Sequence, residues 1–280
     1  MRPLWLRFVA CLACFLFAGA APPPEKVQAK HAQVEFLSQQ MAVRPGQQAM
    51  VGVHFVLEAD WHIYWVNSGD SGQPPVLQWH LPEGFTAGEV QWPRPERMQN
   101  TPQLADYGYH GDVLLAVPLR VPASARPGAA VINLDAKWLI CREVCLPDRA
   151  QLRVSLPVGP EARENPAVAA LFAANRKLLP QGWPAAWKAS VQTEKENFVL
   201  LLDTGKTLSQ AGFFPLDPGQ IDNAAPQILE VMPRGAKITL KKSDLLLKPI
   251  RVLRGVLVIP GGSAYYVDAP VSAAKIQSIK

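Results

Sequence analysis

Two thiols three residues apart frame the chemistry of this chain. Cys141 and Cys145 flank Arg142-Glu143-Val144, and the other two of its four cysteines, Cys11 and Cys14, sit in an apolar run at the N-terminus. A disulfide needs Cα atoms roughly 4.4–6.8 Å apart, whereas four fully extended steps span about 13 Å, so the chain must turn between the two. Upstream, Ile132, Leu134, Ala136, Trp138 and Ile140 alternate with Asn133, Asp135 and Lys137; downstream, Leu146, Ala150, Leu152, Val154 and Leu156 alternate with Arg149, Gln151, Arg153 and Ser155. Each run has the period of a strand with one apolar face. The pattern predicts a hairpin that turns at Arg142-Glu143-Val144. Pairing Cys141 with Cys145 sets Leu134 opposite Leu152 and Ile132 opposite Val154, so register and apolar pattern agree. Both cysteines then take the parity of the polar face, which predicts an accessible dithiol at a hairpin tip.

Three kinds of chemistry suit such a pair. Thiol exchange needs a sulfur that an attacking thiolate can reach in line, and a hairpin tip offers one. A structural clip is the bland alternative, but closing a five-residue loop removes only about 2 kcal/mol of unfolded-state entropy, which adds little to a chain of this length. Soft sulfur ligands also suit Cu(I), yet no third ligand can be named. Exchange ranks first, the clip second and the metal third. Arg142 adjoins Cys141, and positive charge favours a thiolate, which tilts the attacking role towards Cys141. The rest of the sequence adds no competing centre. His31, His54, His62, His80 and His110 form no HxH or HExxH spacing, and there is neither a glycine-rich phosphate loop nor a GxSxG elbow. No metal and no cofactor is expected.

Two segments rich in aromatic and polar residues are candidates to surround the dithiol. One is Asp60-Trp61-His62-Ile63-Tyr64-Trp65-Val66-Asn67-Ser68-Gly69-Asp70-Ser71-Gly72, the other Asp106-Tyr107-Gly108-Tyr109-His110-Gly111. Loops cluster at the ends of a β-sandwich, so both are expected to converge on the hairpin tip. There Tyr64, Tyr107, Tyr109 and Trp138 would shield the sulfurs, while His62 or Asp70 would tune a thiol. Competing structural roles are packing for Trp61, Trp65, Trp79 and Trp92, a satisfied polar group for His62, and a tight turn for Asp70-Ser71-Gly72.

The elements that must position these residues read as β throughout. Arg2 and Arg7 precede an apolar run from Phe8 to Phe17 and the small residues Ala18-Gly19-Ala20, the pattern of a secretory signal peptide over residues 1–20. Its removal takes Cys11 and Cys14 with it. A lipid anchor on Cys14 is disfavoured, because Cys11 stands where an aliphatic residue is usual. Lys and Arg number 28 against 23 Asp and Glu, so losing Arg2 and Arg7 lowers the formal charge from +5 to +3. With no basic run to form a phosphate-binding stripe, nucleic acid is excluded as a partner. No later segment reaches the 18 apolar residues of a membrane helix.

Proline (27) and glycine (19) are spread between short apolar runs rather than massed in one block, which favours an all-β sandwich class. Ala21 to Lys30 is expected to be a disordered, proline-rich start. Strands are expected at 32–38, 49–58, 61–66, 76–81, 113–120, 131–140 and 145–156, enough for one immunoglobulin-like sandwich over 21–158. Residues 159–180 read as a linker with a short helix, Asn165 as its N-cap and Pro166 at its first position. Strands at 187–193, 198–203, 228–232, 237–241, 256–259 and 264–267 then give a second β-sandwich over 181–280, without cysteine or histidine.

Taken together, His62-Ile63-Tyr64-Trp65, Gly69-Asp70-Ser71-Gly72, Trp92-Pro93-Arg94-Pro95, Tyr107-Gly108-Tyr109 and Trp138-Leu139-Ile140-Cys141 through Cys145-Leu146-Pro147 resemble the periplasmic N-terminal region of the DsbD/ScsB thiol:disulfide interchange proteins. The likeness runs from about Gln33 to Val271. It implies an immunoglobulin-like domain whose redox pair, here Cys141 and Cys145, takes electrons from a membrane donor of the DsbD/CcdA type. Those electrons pass to periplasmic thioredoxin-like proteins, in a setting that includes cytochrome c biogenesis. Aromatic residues near Tyr64 and Tyr107 would form the cap. The close cysteine spacing and second sandwich place the chain nearer the ScsB branch. Typical members continue into a membrane domain and a thioredoxin domain, whereas this sequence ends at Lys280, so the expectation is a stand-alone periplasmic relay with protein-disulfide reductase activity. The competing expectation is a non-catalytic periplasmic binding or copper-stress module with the disulfide as a clip.

Overall fold

The computed structural model describes residues 26–261 and 263–273; the expected signal peptide, residues 1–20, lies outside them. The two period-two runs pair as an antiparallel hairpin of strands Gly128–Cys141 and Cys145–Val158. Leu134 faces Leu152, Ile132 faces Val154 and Cys141 faces Cys145. Ile132, Leu134, Ala136, Trp138 and Ile140 are all buried, as an inward-facing strand side requires.

The hairpin forms one end of a sheet continued by His62–Gly69, Leu104–His110 and Glu96–Thr101, with Val76–His80 paired alongside Gly128–Cys141. A second sheet, of Lys26–Ala29, Ala32–Ser38, Gln48–Leu57, Asp112–Arg120 and Thr86–Ala87, packs across from it. Val34, Phe36, Val53 and Phe55 from one sheet and Ile63, Trp65, Ile132 and Trp138 from the other share a core. The second half of the chain makes a seven-stranded path whose last strand, Ala264–Ala273, pairs antiparallel with Val252–Val258 and then parallel with Lys188–Thr193. That strand joins two layers around Phe198, Leu200, Phe213, Ile238, Leu257 and Val267. The architecture is all-β, two immunoglobulin-like sandwiches in tandem.

The two sandwiches are tied together. Phe214, Val256 and Ala264 join the first core, with the Phe214 ring 5.2 Å from Tyr107 and 6.4 Å from Trp65. Asn67 Nδ2 donates to the carbonyl of Pro215 at 2.7 Å, and Arg97 donates to the carbonyls of Asn223 and Ala224 at 2.9 and 2.8 Å.

Two local expectations require correction. Lys26–Ala29, placed in a disordered start, is a strand paired with Ala32–Glu35, because the turn at Lys30-His31 lets it add to an otherwise open edge. The helix is Ala169–Leu178 with Val168 at its N-cap and no side-chain cap, so Asn165 and Pro166 precede it. Asn165 instead closes a turn, its Oδ1 accepting from Ala167 N at 3.2 Å. Phe172 fixes the helix to the first sandwich by packing among Leu37, Leu114 and Ala116. Among the described residues, no helix is long and apolar enough to cross a membrane.

Candidate functional site

Cys141 and Cys145 are joined as a disulfide, their Cα atoms 4.2 Å apart. The two sulfur-bearing residues differ in exposure. Cys145 is exposed, whereas Cys141 is only 2 % exposed, so the accessible dithiol expected from parity is half right. Parity gave the face correctly but not what covers it. His62 pairs with Cys141 across the neighbouring strand, and residues paired in this way share a face of the sheet. His62 and Tyr64, two residues apart, therefore stand on the same outer face as the disulfide, while Ile63 and Trp65 turn inward to the core.

Tyr64 is the side chain nearest the chemistry. Its hydroxyl lies 3.3 Å from Cys145 Sγ, and since neither sulfur of a disulfide carries hydrogen, the phenol donates. Burial, reinforced by the negative charge of Asp106, pushes the phenol up to about 12. It therefore keeps its proton throughout the range in which thiols react. The same O–H would donate to a thiolate at Cys145, and hydrogen bonds to ionised groups are the stronger kind. Removing it with Tyr64→Phe leaves the ring and the fold in place. Alkylation of reduced Cys145 at pH 7 should slow about three- to tenfold, the equivalent of about 1 kcal/mol, as read by mass spectrometry of iodoacetamide-quenched protein.

A short flap covers Tyr64. Gly72 has φ +72, and a Cβ placed there would lie 2.0 Å from Tyr64 Cζ; the backbone rests directly on the ring, and only glycine allows both features. The flap is held from beneath by Asp106, which is fully buried and accepts from Ser71 N at 2.8 Å and Ser71 Oγ at 2.7 Å, with Asn100 as a third donor. Sequence reading put Gly72 and Asp106 in the segments expected around the hairpin tip and read Asp70-Ser71-Gly72 as a tight turn, but assigned neither Gly72 nor Asp106 a role. On the other side of the hairpin tip the Arg142 guanidinium lies 5.3 Å from the centre of the Trp61 ring, which in turn stacks on His31 at 3.8 Å.

His62 completes the cluster. Its ring meets Tyr64 edge-on at 5.2 Å and His110 at 5.6 Å, and its Nε2 has no hydrogen-bond partner among the described residues. Burial first, and the neighbouring His110 second, lower it from 6.5 to about 4, so it is neutral at pH 7. The unfolded chain binds this proton below about pH 6.5 and the folded chain only near 4, hence stability is full above that window and is lost as pH falls through it. With solvent screening at its edge allowed for, the loss is roughly 1–2 kcal/mol. His62→Gln should flatten the acid limb of a urea-denaturation profile measured from pH 7 to 4.

The remaining sequence candidates are directed elsewhere. Asp70 accepts from Ala105 N and from Asn223 Nδ2, both at 2.8 Å, and so faces the second sandwich. The Tyr107 hydroxyl donates to Asn223 Oδ1 at 2.9 Å. Tyr109 donates to the carbonyl of Pro93 at 2.8 Å. Trp138 is buried on the core face, its ring 5.2 Å from Phe55. Of the expected surround, the structure brings His62 and Tyr64 to the disulfide and gives Asp70, Tyr107, Tyr109 and Trp138 to packing and to the seam between sandwiches.

A disulfide with one sulfur-bearing residue at the surface, a buried partner and a phenol donor is an arrangement suited to thiol exchange, mounted on a pair of immunoglobulin-like sandwiches. Residues 33–157, the part of the chain that bears the disulfide, match the family described as "Thiol:disulfide interchange protein DsbD, N-terminal". Among solved structures, the N-terminal periplasmic domain of ScsB from Proteus mirabilis superposes with a TM-score of 0.63 at 17% identity, over 86% of this chain and 94% of that one. The periplasmic chaperone SfaE aligns over 85% of this chain and 99% of its own at 12% identity, with a TM-score of 0.19 that carries no structural argument. Comparison with curated protein sequences gives no significant match.

Proposed function

We propose that the protein is a periplasmic thiol:disulfide carrier that works through Cys145 and Cys141. In its reduced form the Cys145 thiolate attacks a disulfide of a thioredoxin-like partner, forming one mixed disulfide and releasing the partner's first sulfur as a thiolate. Cys141 then attacks Cys145 Sγ, the 141–145 disulfide closes, and the partner leaves with its second thiolate. Two electrons have passed to the partner, which takes up protons from water. A dithiol donor on the membrane side reverses the sequence and reloads the carrier. The periplasmic setting is taken from the P. mirabilis ScsB domain, which is described as periplasmic.

The observation that carries this reading is the unequal exposure of the two cysteines, with the Tyr64 donor on the exposed one. An attacking sulfur must be reachable; a resolving sulfur needs to reach only its neighbour. The sequence argument from Arg142 favoured Cys141 as attacker, but that guanidinium is engaged over Trp61, and burial hands the attack to Cys145. Equilibration with glutathione redox buffers tests the reading. A carrier should have a potential of roughly −180 to −270 mV, in the range of exchanging dithiols, whereas a value below about −300 mV is that of a structural clip and would overturn it.

A further inference from the structure

The outer face of the cysteine hairpin continues past the disulfide into a groove. Cys141, Leu139 and Lys137 project from one strand at two-residue spacing, and their register partners Cys145, Pro147 and Arg149 project beside them. A cavity of about 550 Å³ opens along this face. Leu139 and Pro147 contribute an apolar floor, and Pro74 and Val76 form one wall, with Val76 58% exposed. Lys30, Lys137 and Arg149 stand around it.

Among the described residues these three cations lack carboxylate partners, although the Lys30 ammonium donates to the carbonyl of Pro147 at 3.2 Å. Among the described residues lining the groove the one acidic side chain is Asp148, whose oxygens accept from backbone donors, Lys30 N at 2.7 Å and Arg149 N at 2.8 Å, and which offsets one of the three positive charges. Asp135, on the same face two residues before Lys137, is engaged by His80 at 2.9 Å. Among the described residues, none of the three cations is in an ion pair. Three cations against the one carboxylate of Asp148 leave the groove with a net positive charge, and an apolar floor under net positive charge calls for a ligand that is apolar at its centre and negative along its flanks. The two-residue repeat of the floor matches the side-chain period of an extended peptide.

We propose that this groove docks an extended acidic segment flanking the disulfide of the redox partner, and so presents that disulfide to Cys145. The proposal rests on the carrier reading and adds the chemistry of the partner to it. Charge complementarity of this kind acts mainly on the rate of productive encounter.

The test uses the whole protein, reduced, with three oxidised probes: a disulfide peptide with Asp and Glu flanks, the same peptide with Lys flanks, and the small neutral 2-hydroxyethyl disulfide. The acidic peptide should react about tenfold faster than the basic one at low salt, with the advantage shrinking as salt is raised. Lys137→Glu/Arg149→Glu should invert the preference and leave the neutral probe unchanged; Lys137→Ala/Arg149→Ala, a milder change, should abolish it. Equal rates for the two peptides in the unmodified protein would overturn the groove while leaving the carrier intact. Concentration-dependent dimerisation that the double reversal abolishes would also overturn it, by assigning the groove to a second copy of the chain. No reaction with any probe, the neutral one included, would instead remove the carrier reading on which the proposal stands.

Discussion

Cys141→Ser protein, reduced and mixed with an oxidised thioredoxin-like protein, should accumulate as a covalent complex through Cys145, whereas Cys145→Ser protein should remain free. The argument is one of reach. Cys145 is exposed and Cys141 is 2 % exposed, so on the proposed reading Cys145 is the one that meets an external sulfur in line. Without Cys141 nothing resolves the mixed disulfide from within, and it persists. Both substitutions should lower steady-state transfer at least about a hundredfold, since the two sulfurs act as one unit and removing either disables both steps. Non-reducing gels separate the two variants, and peptide mapping identifies the sulfur. Trapping by Cys145→Ser alone would reverse the assignment of roles.

Gly72→Val should weaken the protein and speed attack on its disulfide together. The site holds a glycine at φ +72, with Tyr64 Cζ only 2.0 Å from where a Cβ would stand, so valine meets both backbone strain and a buried ring. Each of the two costs is about 1–3 kcal/mol, visible together as a lower melting temperature. The chain relieves it by lifting the flap, which uncovers Tyr64 and widens the approach to Cys145. Reduction by dithiothreitol at pH 7 should then be about five- to thirtyfold faster, the equivalent of about 1–2 kcal/mol of eased access. A variant that is less stable yet reduced at the original rate would show that the flap does not limit access.

How much of this was legible in the sequence depends on what each residue contacts. The cysteine hairpin was readable because its period-two pattern runs along both strands, and a one-residue slip would turn Ile132, Leu134 and Ala136 out to solvent. The strand Leu104–His110 was not. Ala105 through Tyr109 are buried at every position, with one side on the core and the other under the flap and the second sandwich, so no alternation betrays it. His62 and Tyr64 could be picked out by density of aromatic and polar groups, and the hairpin gave the face they share with the sulfurs. Asp70 and Tyr107 belong to the same dense segments, yet their partner is Asn223, more than a hundred residues away in the second sandwich. Local pattern carries no trace of such a contact. Parity likewise placed Cys141 on the outer face but could not show that the His62 strand runs along it.

The central claim is that the 141–145 pair passes two electrons to a partner disulfide, and stopped-flow mixing of the reduced protein with an oxidised thioredoxin-like protein measures this directly. Acid quenching and alkylation of free thiols at each time point should show thiols vanishing from Cys141 and Cys145 in step with their appearance in the partner, one pair for one pair. Thiols that stay on this chain, in the presence of a partner that dithiothreitol readily reduces, would contradict the account.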